Sequence, residues 1–147
     1  MEKQEEQKEQ QVQQELMFKL SMFEQQMQQL QQQLQLIEKN ILELNSLDFG
    51  LDEIKGSVGK EILGQLGRGI FVKANITSEE LIVDVGNKNF VNKSIIDTKK
   101  IIKEQIEKLL QIEKELKDKI EETNKEMTDL ILEAQKNQSS SLFKNLP

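Results

Sequence analysis

The chain has 147 residues, the length of one ordinary domain, but aromatics make up only 4% of it, with no Trp or Tyr. Buried area must therefore come from aliphatic seams, and the 31% of charged residues, together with abundant Glu, Lys, Gln, Leu and Ile, fits long amphipathic helices. A formal charge of −6 argues against nucleic acid as a partner, and the absence of Cys removes disulfides and thiolate chemistry. No apolar run approaches the ~18 residues of a membrane span. Met1–Gln10 is too polar for a signal peptide. The expectation is a soluble cytoplasmic protein without a membrane partner.

Residues 1–15 are nearly all polar, and Gln dominates to about Gln35. A seam emerges within this tract: Leu16, Leu20, Phe23, Met27, Leu30, Leu34, Ile37, Ile41 and Leu44. The spacings alternate 4 and 3, the a/d pattern of a left-handed coiled coil, and Gln is a good helix former. This predicts a coiled-coil helix over 1–48. Asn, Ser, Asp and three glycines between Asn45 and Gly59 then read as a loop, placed at 49–59, although Leu47, Leu51 and Ile54 could carry one more helical turn.

Residues 60–94 read as strands. Glu61–Leu66 and Ile70–Ile76 flank Gly67-Arg68-Gly69, a connection of hairpin length. Ile70, Val72, Ala74 and Ile76 alternate onto one face. After the polar turn Thr77–Glu80, Leu81, Val83 and Val85 alternate likewise. Gly86-Asn87-Lys88-Asn89 offers residues that tolerate positive φ before a short return strand at Phe90-Val91. Two consecutive hairpins follow. So small a sheet is marginal alone, and its open edges invite another chain.

Ser94 and Asp97 resemble an N-cap with an acidic N3 residue, opening a second helix over 95–137. Its seam is Ile102, Ile106, Leu109, Leu116, Ile120, Met127, Leu130 and Ala134, with Glu113 and Thr123 expected to interrupt the register. The pairs Glu104–Lys108, Glu113–Lys117, Glu115–Lys119 and Glu121–Lys125 are in the favourable i,i+4 order. A flexible tail is expected over 138–147. Two helices of similar length around a compact insert should fold back antiparallel, with Leu44 near the start of the second helix and Leu16 near Met127. The fold class expected is therefore mainly α: one domain, a long antiparallel coiled-coil hairpin with two small β-hairpins between its helices.

Candidate chemistry is sparse. With no His and no Cys, the usual general base, the thiol nucleophile and nearly every zinc site are missing. The carboxylates alternate with Lys as solvated faces. Gly64, Gly67 and Gly69 do not make the dinucleotide fingerprint, and Gly56–Glu61 lacks the spacing and the Ser/Thr of a P-loop. No enzyme, cofactor or metal is expected. The informative apolar residues lie off the seam towards the helix ends away from the strands: Val12, Phe18, Met22, Ile131, Leu132, Leu142, Phe143 and Leu146. Met and Phe on a mobile scaffold adapt to varied apolar partners, which makes this a candidate sticky tip.

The stretch EILGQLGRGIFVKANI…LIVDVGNKNFVNKSI resembles the strand region of alpha-type prefoldin subunits: a "vPLG" strand, an aliphatic strand, a "vVxVG" strand and an aromatic "vEKS" lead into the second helix. The likeness of wording covers about Glu61–Ile102; Gln65 stands where the family often has Pro, and Asn92 where it often has Glu. The resemblance implies a hetero-hexamer of two alpha-type and four beta-type subunits, with the strands in a shared platform. It also implies an ATP-independent holdase that captures unfolded client proteins and passes them to a group II chaperonin. On that reading Ile70, Val72, Ile76, Leu81, Val83 and Val85 form the oligomer interface, and the tip residues hold clients. The alternative is a structural coiled-coil protein that self-assembles through its strand edges without client binding.

Overall fold

The computed structural model describes residues 2–144, with side chains as far as Asn137. Two long helices, α1 (Glu2–Ile54) and α2 (Ile95–Lys144), bracket β1 (Glu61–Gly67), β2 (Ile70–Asn75), β3 (Leu81–Asp84) and β4 (Phe90–Lys93). The strands pair antiparallel, β1 with β2 and β3 with β4, as two separate two-stranded sheets. Helix, two hairpins, helix is the expected order, and the chain adopts it.

All nine predicted seam residues of α1, from Leu16 to Leu44, are buried or half-buried. The pattern does not stop there. Asp48 follows Leu44 by four residues and Leu51 follows Asp48 by three, and both are withdrawn from solvent. The helix boundary expected at 48 is therefore wrong: residues 49–54 are helical, not loop. Gly50 inside the helix costs about 1 kcal/mol. Burying Leu51, which is 5% exposed, offsets this with about 1.5–3 kcal/mol. The helix ends beyond Ile54, where Gly56 adopts a left-handed φ of 75°. Ser57 ties off the exposed carbonyls, its N–H donating to Ile54 O at 3.0 Å and its Oγ to Glu53 O at 2.7 Å.

At the start of α2, Ser94 Oγ accepts the Asp97 N–H at 3.1 Å, the N-cap contact that the sequence suggests. Glu113 and Thr123 do not interrupt the seam. They stand in an unbroken 4-3 series with Leu109, Leu116, Ile120 and Met127; Glu113 is half-buried and Thr123 is 4% exposed. Backbone geometry decides which positions face inward. The small Thr side chain fits there, and Glu113 keeps its carboxylate within reach of Lys117 Nζ at 3.3 Å. The helical backbone also continues to Lys144, past the expected end at 137, because no Gly or Pro occurs before Pro147 to break it.

The chain divides into two compact units, Met1–Ile37 with Ile112–Pro147, and Glu38–Gln111. In the second unit Leu51, Ile95 and Ile102 form a buried core, joined by Leu44, Ile54, Ile106 and, from β3, Leu81. Beside it the seam turns polar. Lys99, in seam register between Ile95 and Ile102, donates a hydrogen bond to Asp52 and lies 3.9 Å from Asp48 Oδ1. That Asp48 oxygen is buried and has no hydrogen-bond donor. In the first unit the helices run antiparallel, and Leu16 shares a groove with Leu130 and Ala134, beyond the Met127 expected as its neighbour.

Candidate functional site

The strands present the first candidate surface. Alternating residues and their cross-strand partners share a face. Ile62, Gly64, Val72 and Ala74 therefore lie on one side of the β1–β2 sheet, and Leu63, Gln65, Phe71 and Lys73 on the other. In the β3–β4 sheet Leu81, Val83, Val91 and Lys93 oppose Ile82, Asp84, Phe90 and Asn92. The two-residue loop Arg68-Gly69 has φ of 50° and 77°, the positive pair that a type I′ hairpin needs, and Gly86, Asn87 and Lys88 are likewise positive. β4 is longer than Phe90-Val91 and reaches Lys93. Ile76 lies just outside β2, but its N–H still donates to Lys60 O at 3.1 Å, and Val85 lies just outside β3.

Of the six residues expected at the interface, Ile70, Val72 and Val85 are exposed, while Ile76, Leu81 and Val83 are half-buried. Leu81 packs on the helical core of its own unit, so it is partly spent within the chain. The apolar surface is also not confined to one face. Leu63, Leu66 and Phe71 are exposed in the first sheet, and Phe90 and Ile82 in the second, Ile82 at 74%. Both faces of both hairpins carry exposed apolar side chains among polar ones, and within the described residues the outer edges of all four strands lack a strand partner.

The second candidate surface lies in the unit made of residues 1–37 and 112–147. Val12, Phe18, Met22, Ile131 and Leu132 are all exposed, as the tip assignment requires, and Met17, which the sequence reading passed over, is exposed as well. Val12 and Met22 line two adjoining grooves between the helices, whereas Phe18, Ile131 and Leu132 line neither. The side chains of Leu142 and Phe143, and Leu146 altogether, lie outside the described residues. The first groove takes Val12, Leu16, Leu130 and Ala134 as its apolar lining; the second takes Met22, Phe23 and Leu130. Lys19 and Glu133 border both.

The electrostatics outside these surfaces centre on Lys99. Its hydrogen bond holds the Asp52 carboxyl below the ordinary 3.8, and the same bond, helped by Asp48, holds the ammonium above 10.5. Sequence reasoning missed this cluster, yet a signal existed: Asp48 and Lys99 are charges placed in strict seam register. Among the described residues no group of three or more carboxylates gathers to hold a metal, and no helix is long and apolar enough to cross a membrane.

Two long helices with two small antiparallel β-hairpins between them define a protein of the coiled-coil hairpin class. The family described as Prefoldin subunit matches residues 23–140, and the chain belongs to the prefoldin family. It is 25% identical over 89 residues to a prefoldin subunit alpha of Methanosphaera stadtmanae, an alignment covering 60% of this chain and 64% of that one. It is 27% identical over 96 residues to a prefoldin subunit alpha of Methanobrevibacter smithii, covering 65% and 66% respectively. The matches thus span just under two thirds of those relatives' lengths. Among solved structures, a filamentous PFD from Methanocaldococcus jannaschii, determined by cryo-EM, has a similar fold, with a TM-score of 0.68, 23% identity, and coverage of 78% of this chain and 96% of that one. Prefoldins are non-enzymatic chaperones that assemble with other prefoldin subunits.

Proposed function

We propose that the protein is a subunit of an ATP-independent holdase in the cytoplasm, a hexamer of two alpha-type and four beta-type subunits that receives unfolded chains at its coiled-coil tips and delivers them to a group II chaperonin. The carrying observation is the pair of exposed apolar zones. One lies on strands with unpaired edges, the chemistry of assembly, and the other lies along grooves between helix ends, the chemistry of reversible apolar capture. Ile70, Val72, Ile76, Val83 and Val85 would line the assembly platform, with Leu81 anchoring it to the helices. Val12, Phe18, Met22, Ile131 and Leu132 would touch clients, together with Leu142, Phe143 and Leu146.

Deleting residues 1–12 and 138–147, which removes Val12, Leu142, Phe143 and Leu146 but keeps the groove beside Met22, should weaken suppression of client aggregation while the oligomer assembled with a beta-type subunit keeps its mass. Undiminished suppression would rule out a client contact at those four residues. The same open edges also suit the second reading, a structural protein that self-assembles without clients. Sizing the chain alone and with a beta-type subunit separates the two. A defined hexamer only with the partner supports the chaperone; open-ended growth of the chain alone supports the structural role.

A further inference from the structure

The groove beside Met22 and Phe23 carries more chemistry than apolar capture needs. Its α2 wall is a row of carboxylates, Glu126, Asp129 and Glu133, at i, i+3 and i+7 on one helix face. Its α1 wall is a row of amides, Gln25, Gln26 and Gln29. Met22, Phe23 and Leu130 lie between them in a space of about 730 Å³. The adjoining groove adds Glu9 and Glu15. Across both, five carboxylates face only two ammonium groups, Lys8 and Lys19.

Each wall selects for something different. A glutamine amide donates and accepts like a peptide group, so it can pair with the unsatisfied N–H and C=O groups of a chain that has lost its secondary structure, whatever its side chains. A carboxylate row accepts charge-assisted bonds from Lys and Arg and repels Asp and Glu. Aliphatic and thioether groups take apolar side chains with little regard to shape.

We propose that this groove binds unfolded polypeptide segments in which apolar residues alternate with Lys or Arg, and that the α2 carboxylates select against acidic segments. The inference rests on the holdase reading and adds the charge of the preferred client. A second copy of this chain is a poor occupant, because its own formal charge is −6.

The test uses the full chain, assembled with a beta-type subunit, and three dye-labelled peptides of equal length and apolar content. They carry lysine, glutamine or glutamate at the same positions, and binding is read by fluorescence anisotropy. Partly solvated ion pairs of this number predict that the lysine peptide binds about tenfold tighter than the glutamate peptide at low salt, with the glutamine peptide between them. The ratio should shrink as added salt shortens the Debye length. In the triple variant Glu126→Gln, Asp129→Asn, Glu133→Gln it should fall to near one, with helix content by circular dichroism confirming the fold. Equal binding of all three peptides to the unaltered protein would overturn the charge preference while leaving the holdase reading intact. Binding of none would overturn both. If the triple variant fails to fold, the salt dependence in the unaltered protein still decides: a ratio that salt leaves unchanged refutes the carboxylate wall.

Discussion

Replacing Leu51 by Ala, set against Leu47→Ala one turn earlier, tests whether the helical seam continues past residue 48. Both substitutions remove the same atoms from the same helix, so the change in helix propensity cancels between them. Leu51 is 5% exposed and sits against Ile95 and Ile102, which are themselves buried; Leu47 is 50% exposed. Leu→Ala at a buried site costs roughly 2–5 kcal/mol, counting lost transfer energy and the cavity left behind. A seam between two helices is open at its flanks and can partly close, so about 2–3 kcal/mol is expected for Leu51 and within about 0.5 kcal/mol for Leu47. Urea unfolding of the isolated chain, followed by circular dichroism at fixed concentration, reads the difference. At a slope of about 2 kcal/mol per molar urea, the Leu51 variant should unfold about 1–1.5 M earlier with its slope unchanged. Equal shifts in the two variants, or a larger one for Leu47, would refute the extended seam.

Other outcomes follow from the same packing. Gly50→Ala should stabilise the chain by up to about 1 kcal/mol in the same assay, because a Cβ there meets nothing within 4 Å and the glycine lies in a regular helix. Lys99→Gln should flatten both limbs of the stability–pH curve. The Asp52 carboxyl is held low, so its contribution is complete above the ordinary 3.8 and drains as pH falls through its folded value. Lys99 is held high, so its contribution is complete below 10.5 and drains as pH rises beyond. Unaltered acid and alkaline limbs in the variant would contradict the pairing. Val83→Asp should break assembly with beta-type subunits by placing a charge on a half-buried strand face. A hexamer of normal mass, measured by light scattering, would show that this face is not covered.

Much of the architecture is legible in residue spacing. The 4-3 repeat from Leu16 to Leu44 places one side chain after another inward, and the structure follows it residue by residue. The errors along the seam share one cause. Asp48 falls in a stretch that reads as a loop, and Glu113 and Thr123 read as breaks, because they are polar; yet the repeat runs through all three and through Lys99. Helical register is a property of the backbone, and a polar residue in register is drawn inward with its neighbours. The hairpins were legible for a different reason. Gly67-Arg68-Gly69 and Gly86-Asn87-Lys88 supply the positive φ that tight turns demand, a local requirement. Leu81 was legible as a strand residue but not as a member of the helical core, since only packing brings β3 to Leu51 and Ile95.

The candidate tip was half legible. Exposure of Val12, Phe18, Met22, Ile131 and Leu132 follows from their off-seam positions. The division between groove-lining Val12 and Met22 and the outward Phe18, Ile131 and Leu132 does not. The sequence by itself determined that the helices and turns exist and which apolar positions face inward, because each depends on neighbours a few residues away. Only the tertiary structure decided that the carboxylates of Glu126, Asp129 and Glu133 stand across an apolar groove from the amides of Gln25, Gln26 and Gln29. That juxtaposition depends on the register between two helical segments distant in the chain. Register is set by the side chains that interlock along the seam, and no local spacing encodes which turn of one helix meets which turn of the other.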